Sequence, residues 1–190
     1  SRRTTLLRPV ISVGNLSMGG SGKTPLVAAL AAWLVARGER PAILSRGYGR
    51  RHAHAEPTVV SNGTRVLTTV DDSGDEPLML ARAVPGASVV VCDVRAVAAA
   101  LAERTLGATV HVLDDGFQHR SLRKNAEIVV VAPRDLSDRR LPFGRLRSPV
   151  SALAGADVVI VDDPDGRAPE ALVGNAIDPS RTAVFSLRRT

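Results

Sequence analysis

The sequence predicts an α/β fold in which helices cover both faces of a mostly parallel sheet, with a small antiparallel hairpin added to it. Two observations favour this class. Short, continuous apolar runs alternate with helical segments along the chain, as expected for strands buried on both faces of a parallel sheet. A glycine-rich loop also joins the first apolar run to the first helical segment, a connection typical of the repeating units of α/β proteins.

Each predicted element follows from its local pattern. Gly38 and Gly107 follow apolar-periodic segments and are natural stops for helices. Asn62-Gly63 suits a two-residue turn, so residues 59–67 are predicted as the hairpin. The predicted strands are 10–13, 41–45, 88–92, 109–113, 127–131, 157–161 and 182–187, and the predicted helices are 25–37, 75–84 and 93–106.

The domain organisation follows from length and composition. A chain of 190 residues is one domain, or one domain and part of another. Residues 162–180 are rich in Pro, Gly and Asp and predict a long loop or the start of a linker. We therefore expect a core over residues 1–161, followed at 162–190 by a linker and the start of an incomplete C-terminal lobe. We also expect both ends of the chain to be truncated, since it starts at a serine and ends just after an apolar run.

The composition narrows the classes of partner. A net charge of +6 favours anionic partners such as nucleotides, phosphorylated substrates or an acidic membrane surface. Aromatic residues make up only 3% of the chain, which argues against a nucleic-acid partner bound by base stacking. The single cysteine, Cys92, lies in an apolar run and is expected to be a buried strand residue in a reducing compartment. No apolar stretch approaches the roughly 18 residues of a membrane-spanning helix.

The glycine-rich loop carries the strongest functional signal. In such a loop, backbone N–H groups and the N-terminus of the next helix surround the phosphates of a nucleotide. Lys23 is expected to reach the β and γ oxygens, and the hydroxyl of Thr24 to bind Mg²⁺. The loop departs from the strict pattern at one position, where a serine replaces the first glycine. The residues predicted to bind the nucleotide are Ser17, Met18, Gly19, Gly20, Ser21, Gly22, Lys23 and Thr24.

Two acidic pairs are further candidates. Asp114-Asp115 follow an apolar strand, where ligands bind in open α/β sheets, so they predict a Mg²⁺ site; an ordinary Asp-Gly turn is the alternative. Asp75-Glu76 open a predicted helix. Because Ser73 and Glu76 have the spacing of a capping box, and acidic residues suit a first helical turn, the local pattern favours a structural role for this pair. The alternative is that Asp75 accepts a proton from an attacking hydroxyl.

Two loops are less specific. His119 closely follows Asp114-Asp115 and is a candidate for contact with a phosphate, although a lone histidine in a loop is usually only solvated. A basic loop follows, with apolar residues at 141–143 and arginines at 139, 140, 145 and 147. Such a loop suits either a lipid phosphate or headgroup, or no partner other than solvent.

Several segments together resemble the tetraacyldisaccharide 4′-kinases, the lipid A 4′-kinase (LpxK) family. The resemblance extends from about residue 9 to residue 162, and the string Asp-Asp-Gly-Phe-Gln-His at 114–119 is its most specific part. This family carries Ser or Thr at the position of Ser17. The other shared segments are residues 13–25, 45–49, 74–77, 140–142 and 147–149.

The resemblance implies a P-loop fold and transfer of the ATP γ-phosphate to the 4′-hydroxyl of a tetraacyldisaccharide 1-phosphate, with ATP and Mg²⁺ as cofactors. It implies that Asp75 is the general base, reversing the local interpretation. Glu76, Asp114 and Asp115 are placed around Mg²⁺ and substrate. Arg46, Gln118 and His119 lie in the shared segments and are expected to contact substrate.

The resemblance also implies a peripheral protein at the cytoplasmic face of the bacterial inner membrane. We expect the protein to be a monomer. The family's N-terminal membrane-associating helix and its C-terminal histidine motif have no counterpart in this sequence, so a nucleotide-binding fragment with impaired catalysis is one alternative. A P-loop switch or metallochaperone-type GTPase is the other. It would carry Asn-Lys-x-Asp after a late strand, where this chain has Asp162-Asp163-Pro164-Asp165.

Overall fold

The computed structural model of the chain describes residues 3–18, 22–51, 56–163 and 169–187. The eight strands among these residues belong to a mostly parallel sheet, which confirms the predicted fold class. They are β1 (Val10–Asn15), β2 (Pro41–Ser45), β3 (Thr58–Asn62), β4 (Ser88–Val91), β5 (Val110–Asp114), β6 (Ala126–Val131), β7 (Val158–Val161) and β8 (Ala183–Ser186). The helices are α1 (Lys23–Val35), α2 (Val70–Ser73), α3 (Asp75–Ala83), α4 (Arg95–Thr105) and α5 (Pro169–Val173).

The described residues form two compact units. The first takes its residues from Ser1–Ile11, Thr24–Asp114 and Arg120–Asn125, and the second takes them from Ser12–Lys23, Asp115–His119 and Ala126–Thr190. The predicted boundary after residue 161 and the predicted C-terminal lobe stay predictions. Beyond that boundary, β8 pairs in parallel with β7.

In the first unit, β2 lies between β4 and β5 and is parallel to both. β3 pairs with β4 in the antiparallel direction. Helix α4 packs on β2 and β4 through alanines, of which Ala98, Ala99 and Ala102 are fully buried. Small side chains on this face allow the helix to approach the sheet closely. The helix ends at Thr105, and Gly107, the predicted stop, follows its C-cap Leu106 with a positive φ of 64°.

The predicted hairpin forms only in part. Gly63 has a φ of 92°, and the chain turns back so that Ser61 and Val66 form a single antiparallel bridge. No strand follows this bridge between residues 63 and 87, all of which the structure describes. The antiparallel strand that pairs with β3 is therefore β4, not a neighbour across the turn.

The second unit contains β6, β7 and β8, which run parallel in that order. Its core includes Leu16, Val129 and Leu153. Short 3₁₀ turns at Pro133–Ser137 and Val150–Gly155, together with α5, occupy stretches for which no helix was predicted. Over the described ranges, no helix is both long and apolar enough to cross a membrane. Cys92, in the first unit, is a free thiol and is buried as predicted, but it lies one residue beyond the end of β4 and not within the strand.

Candidate active site

The glycine-rich loop begins where β1 ends and finishes where α1 starts. Ser17 forms an antiparallel bridge with Leu146, and the N–H of Met18 donates to the carbonyl of Arg145 at 2.8 Å. Gly22 has a φ of 74°, a backbone conformation that glycine adopts without strain. The predicted ligands Gly19, Gly20 and Ser21 lie outside the described residues.

Lys23 is the first residue of α1 and is held by a carboxylate. Its Nζ donates to Oδ1 of Asp115 at 2.5 Å, in the second unit. Arg147 binds the same carboxylate through both of its terminal nitrogens, at 2.6 and 2.7 Å, and also donates to Oδ1 of Asn15 at 2.6 Å. Two cations therefore share one anion, and this cluster carries an excess positive charge.

The two neighbouring cations favour the ionised form of Asp115. Burial on its own raises the pKa of this carboxyl, but the hydrogen bonds from Arg147 and the charge of Lys23 outweigh burial and hold the pKa far below its usual range. The residue also has a positive φ of 54°, in the left-handed region that non-glycine residues rarely occupy. Such strain is typical of functional sites.

Gln118 is anchored beside the same cluster. Its Nε2 donates to the carbonyl of Asn15 at 2.9 Å and to the hydroxyl of Ser148 at 3.2 Å. Its Oε1 is buried, and within the described part of the chain no group donates to it. The predicted substrate residue His119 is half-buried at the end of this turn, and its N–H donates to the carbonyl of Gly116 at 2.9 Å.

The first unit contains the second group of predicted site residues. The hydroxyl of Thr24 donates to Oε1 of Glu76, so the second residue of α1 contacts the first turn of α3. Asp75 precedes Glu76 and is exposed to solvent. Asp114 ends β5, where its buried carboxylate accepts a hydrogen bond from the hydroxyl of Ser45 at 3.2 Å.

The structural explanation of the Asp75-Glu76 pair as a capping box is wrong. The N-cap of α3 is Gly74, not Ser73, and no side chain caps the helix. The hydroxyl of Ser73 instead donates to the carbonyl of Thr69 at 2.7 Å. Asp75 and Glu76 therefore lie in the first turn of α3 without forming a capping box, and Glu76 accepts its hydrogen bond from Thr24.

Arg46, the remaining predicted substrate residue, lies in the loop after β2. Its Nε is 3.6 Å from a carboxylate oxygen of Asp93, which Nη2 of Arg50 also approaches at 3.4 Å. A Cβ on Gly74 would lie 2.7 Å from the carbonyl oxygen of Tyr48, so this loop packs directly on the start of α3. The loop thus places Arg46 in the same unit as Asp75, with its guanidinium largely exposed.

The structure assigns roles to residues that the sequence did not single out. Arg147 had been grouped with the basic loop at 139–147, and no local pattern connects it to a carboxylate 32 residues away. Asn15 and Ser45 lie at strand ends, which is the one signal that points to them, because ligand sites of α/β sheets gather there.

The donor set suits Mg²⁺ bound together with a nucleotide. Thr24 and Glu76 supply neutral and charged oxygens, the ligands that Mg²⁺ prefers. Over the described residues, no group of three or more His, Cys, Asp or Glu side chains is placed to form a complete cage.

Known proteins are similar to this chain in both sequence and fold. A family model for the tetraacyldisaccharide-1-P 4′-kinase, LpxK, matches residues 1–188. A tetraacyldisaccharide 4′-kinase of Anaeromyxobacter sp. (strain Fw109-5) is 46% identical over 185 residues, covering 95% of this chain and 49% of that protein. Its counterpart in Geobacter metallireducens is 47% identical over 158 residues, covering 82% of this chain and 46% of that protein.

A solved structure gives the same result. The LpxK of Aquifex aeolicus in complex with ATP matches with a TM-score of 0.86 at 36% identity, over 98% of this chain and 56% of that chain. This chain spans about half the length of the relatives that it matches. The chain therefore belongs to the tetraacyldisaccharide-1-P 4′-kinase (LpxK) family.

Proposed function

We propose that this chain is the nucleotide-binding part of an ATP-dependent lipid kinase, which transfers the γ-phosphate of ATP to the 4′-hydroxyl of a tetraacyldisaccharide 1-phosphate to form lipid IVA. The observation that carries the proposal is the cationic cluster at the glycine-rich loop, where Lys23 and Arg147 share the carboxylate of Asp115. The names of the relatives, and the ATP held by the Aquifex aeolicus protein, support the same activity.

The cluster binds and orients the phosphates. An ammonium group has three donors, so Lys23 can keep its hydrogen bond to Asp115 and still donate to a phosphate oxygen. Asp115 fixes the position of Lys23 before the nucleotide arrives, which lowers the entropic cost of binding. Phosphoryl transfer needs this positioning and charge stabilisation more than covalent catalysis.

Thr24 and Glu76 would hold Mg²⁺, which neutralises charge on the phosphate oxygens when it is bound. We propose that Asp114, which is buried at the end of β5, also contributes to binding Mg²⁺. For Asp115 we propose a positioning role, since its carboxylate is already engaged by two cations.

Asp75 is the proposed general base. Its carboxylate accepts the proton of the 4′-hydroxyl as the hydroxyl oxygen bonds to the γ-phosphorus, and the bond from that phosphorus to the leaving ADP oxygen breaks. The residue is exposed and is followed directly by Glu76, the partner of Thr24. For Arg46, Gln118 and His119 we retain the proposal of substrate contact.

The finer assignments rest on family membership. We propose that the protein acts as a monomer, peripherally, at the cytoplasmic face of the inner membrane, where an anionic surface meets its net positive charge of +6.

Calorimetric titration of the chain with Mg·ATP tests the nucleotide site. We expect Lys23→Ala to weaken ATP binding by about tenfold to a hundredfold, the usual loss for hydrogen bonds to a charged group. Lys124→Ala removes the chain's other lysine and is the matched control. Unchanged ATP binding by the Lys23 variant would defeat the assignment, and strong preference for GTP over ATP would favour the switch-type GTPase.

A further inference from the structure

The loop at residues 139–146 exposes large apolar side chains at its tip. Phe143 is 83% exposed and Leu141 is 48% exposed. They are separated by one residue, so the loop holds them close together. Single exposed apolar residues are common on protein surfaces, but two on one short loop need an explanation.

The exposure of this tip is built into the loop. The N–H of Leu146 donates to the carbonyl of Arg139, and that of Leu141 donates to the carbonyl of Leu146, each at 3.0 Å. Gly144 packs so closely that an added Cβ would lie 2.1 Å from the carbonyl oxygen of Arg139. These bonds fix the loop without burying Phe143.

The 139–146 loop is also bonded to the glycine-rich loop. Leu146 forms a bridge with Ser17, and the carbonyl of Arg145 accepts a hydrogen bond from the N–H of Met18. Met18 is itself 57% exposed. Two hydrogen-bonded segments of the second unit therefore carry three exposed apolar side chains next to the phosphate-binding cluster.

The charges around the tip all favour an anionic partner. Asp138 is the one acidic residue between positions 138 and 149, and its carboxylate is neutralised by the guanidinium of Arg145 at 2.9 Å. Arg139 and Arg140 are exposed, and within the described part of the chain neither guanidinium has an acidic partner. The tip thus combines exposed apolar side chains with two uncompensated cations.

We propose that the 139–146 loop docks the protein onto an anionic lipid bilayer, with Phe143 and Leu141 entering the headgroup layer and Arg139 and Arg140 binding lipid phosphates. This inference rests on the proposed function, since a kinase acting on a membrane lipid must bring its phosphate site to the bilayer. Apolar side chains flanked by uncompensated arginines are the pattern of interfacial membrane segments.

Sedimentation of the chain with vesicles of phosphatidylglycerol and phosphatidylethanolamine tests the proposal. We expect Phe143→Ser to lower vesicle binding by roughly tenfold or more, the loss expected for a large apolar side chain that leaves the bilayer. Replacing Arg139 and Arg140 by Ser should lower it by about fivefold for each residue, and high salt should remove that part of the difference. Phe185→Ser is the matched control, since Phe185 is 56% exposed but lies on β8.

Titration of the same variants with Mg·ATP distinguishes a role of this loop in membrane docking from a role in nucleotide binding. We expect Phe143→Ser to bind ATP as the unmodified chain does. Loss of ATP affinity with vesicle binding intact would show that Phe143 contacts the nucleotide instead, and would overturn the docking role. Equal vesicle binding by the Phe143 and Phe185 variants, or failure of the unmodified chain to bind vesicles, would also overturn it. These two outcomes concern vesicle binding alone. The proposed function is tested separately, by the titration with Mg·ATP.

Discussion

Asp115 is the residue on which the cationic cluster depends. Its carboxylate binds both Lys23 and Arg147. Because one negative charge faces two positive charges, the hydrogen-bonded cluster carries one positive charge in excess. A cluster with excess positive charge and a pre-positioned ammonium group favours a phosphate group on entry. The glycine-rich loop predicted the role of Lys23 from sequence, but only the structure shows that the guanidinium of Arg147 binds Asp115.

The stability of the protein should depend on Asp115 in a pH-dependent way. Its pKa is lowered by folding, so its stabilisation is fully present above the ordinary aspartate pKa of about 3.9 and is lost as the pH falls through the folded-state value. We expect Asp115→Asn to lower the free energy of unfolding by about 1–2 kcal/mol at pH 7, after allowance for the partial exposure of the carboxylate.

Urea denaturation of both proteins between pH 7 and pH 3 measures this difference. It should stay constant from pH 7 to about pH 5 and shrink below the ordinary aspartate pKa of about 3.9. A difference that stays the same size down to pH 3 would contradict the assignment of the ion pairs to Asp115.

At the scale of elements, β1 and the turn at residues 116–119 depend on each other. A Cβ on Gly14 would lie 2.4 Å from Cβ of Phe117 and 2.7 Å from its backbone nitrogen. The turn therefore lies against β1, and this contact places Gln118 where it binds the carbonyl of Asn15. The short apolar runs predicted the strands well, whereas a close approach between distant segments leaves no periodic signal.

Gly14→Ala should consequently displace the turn. We expect the free energy of unfolding to fall by about 1–3 kcal/mol, the usual cost of overpacking a well-packed site. Gly155→Ala is the matched control, because a Cβ there meets no atom within 4 Å. Urea denaturation of the two variants should separate them, and equal stability would show that the Phe117 contact adjusts without cost.

At the scale of the whole molecule, the sequence predicted the sheet and most of the helices because strand and helix periodicity are local properties. The short helix α5 was missed because its five residues lie in a segment rich in Pro, Gly and Asp. The site was predicted where a motif is contiguous, as at Lys23 and Thr24. It was missed where a partner comes from a separate strand end, as with Ser45, which donates a hydrogen bond to the predicted Asp114.

The most direct test of the proposed phosphoryl transfer replaces its base. In a transfer-competent form of the enzyme, ATP-dependent phosphorylation of a tetraacyldisaccharide 1-phosphate would be measured for Asp75→Asn and for Asp71→Asn, an aspartate on α2 that serves as the control. We expect the Asp75 variant to bind Mg·ATP normally and to lose about 10²-fold or more in rate, the contribution of a general base. A near-normal rate for Asp75→Asn would contradict the mechanism.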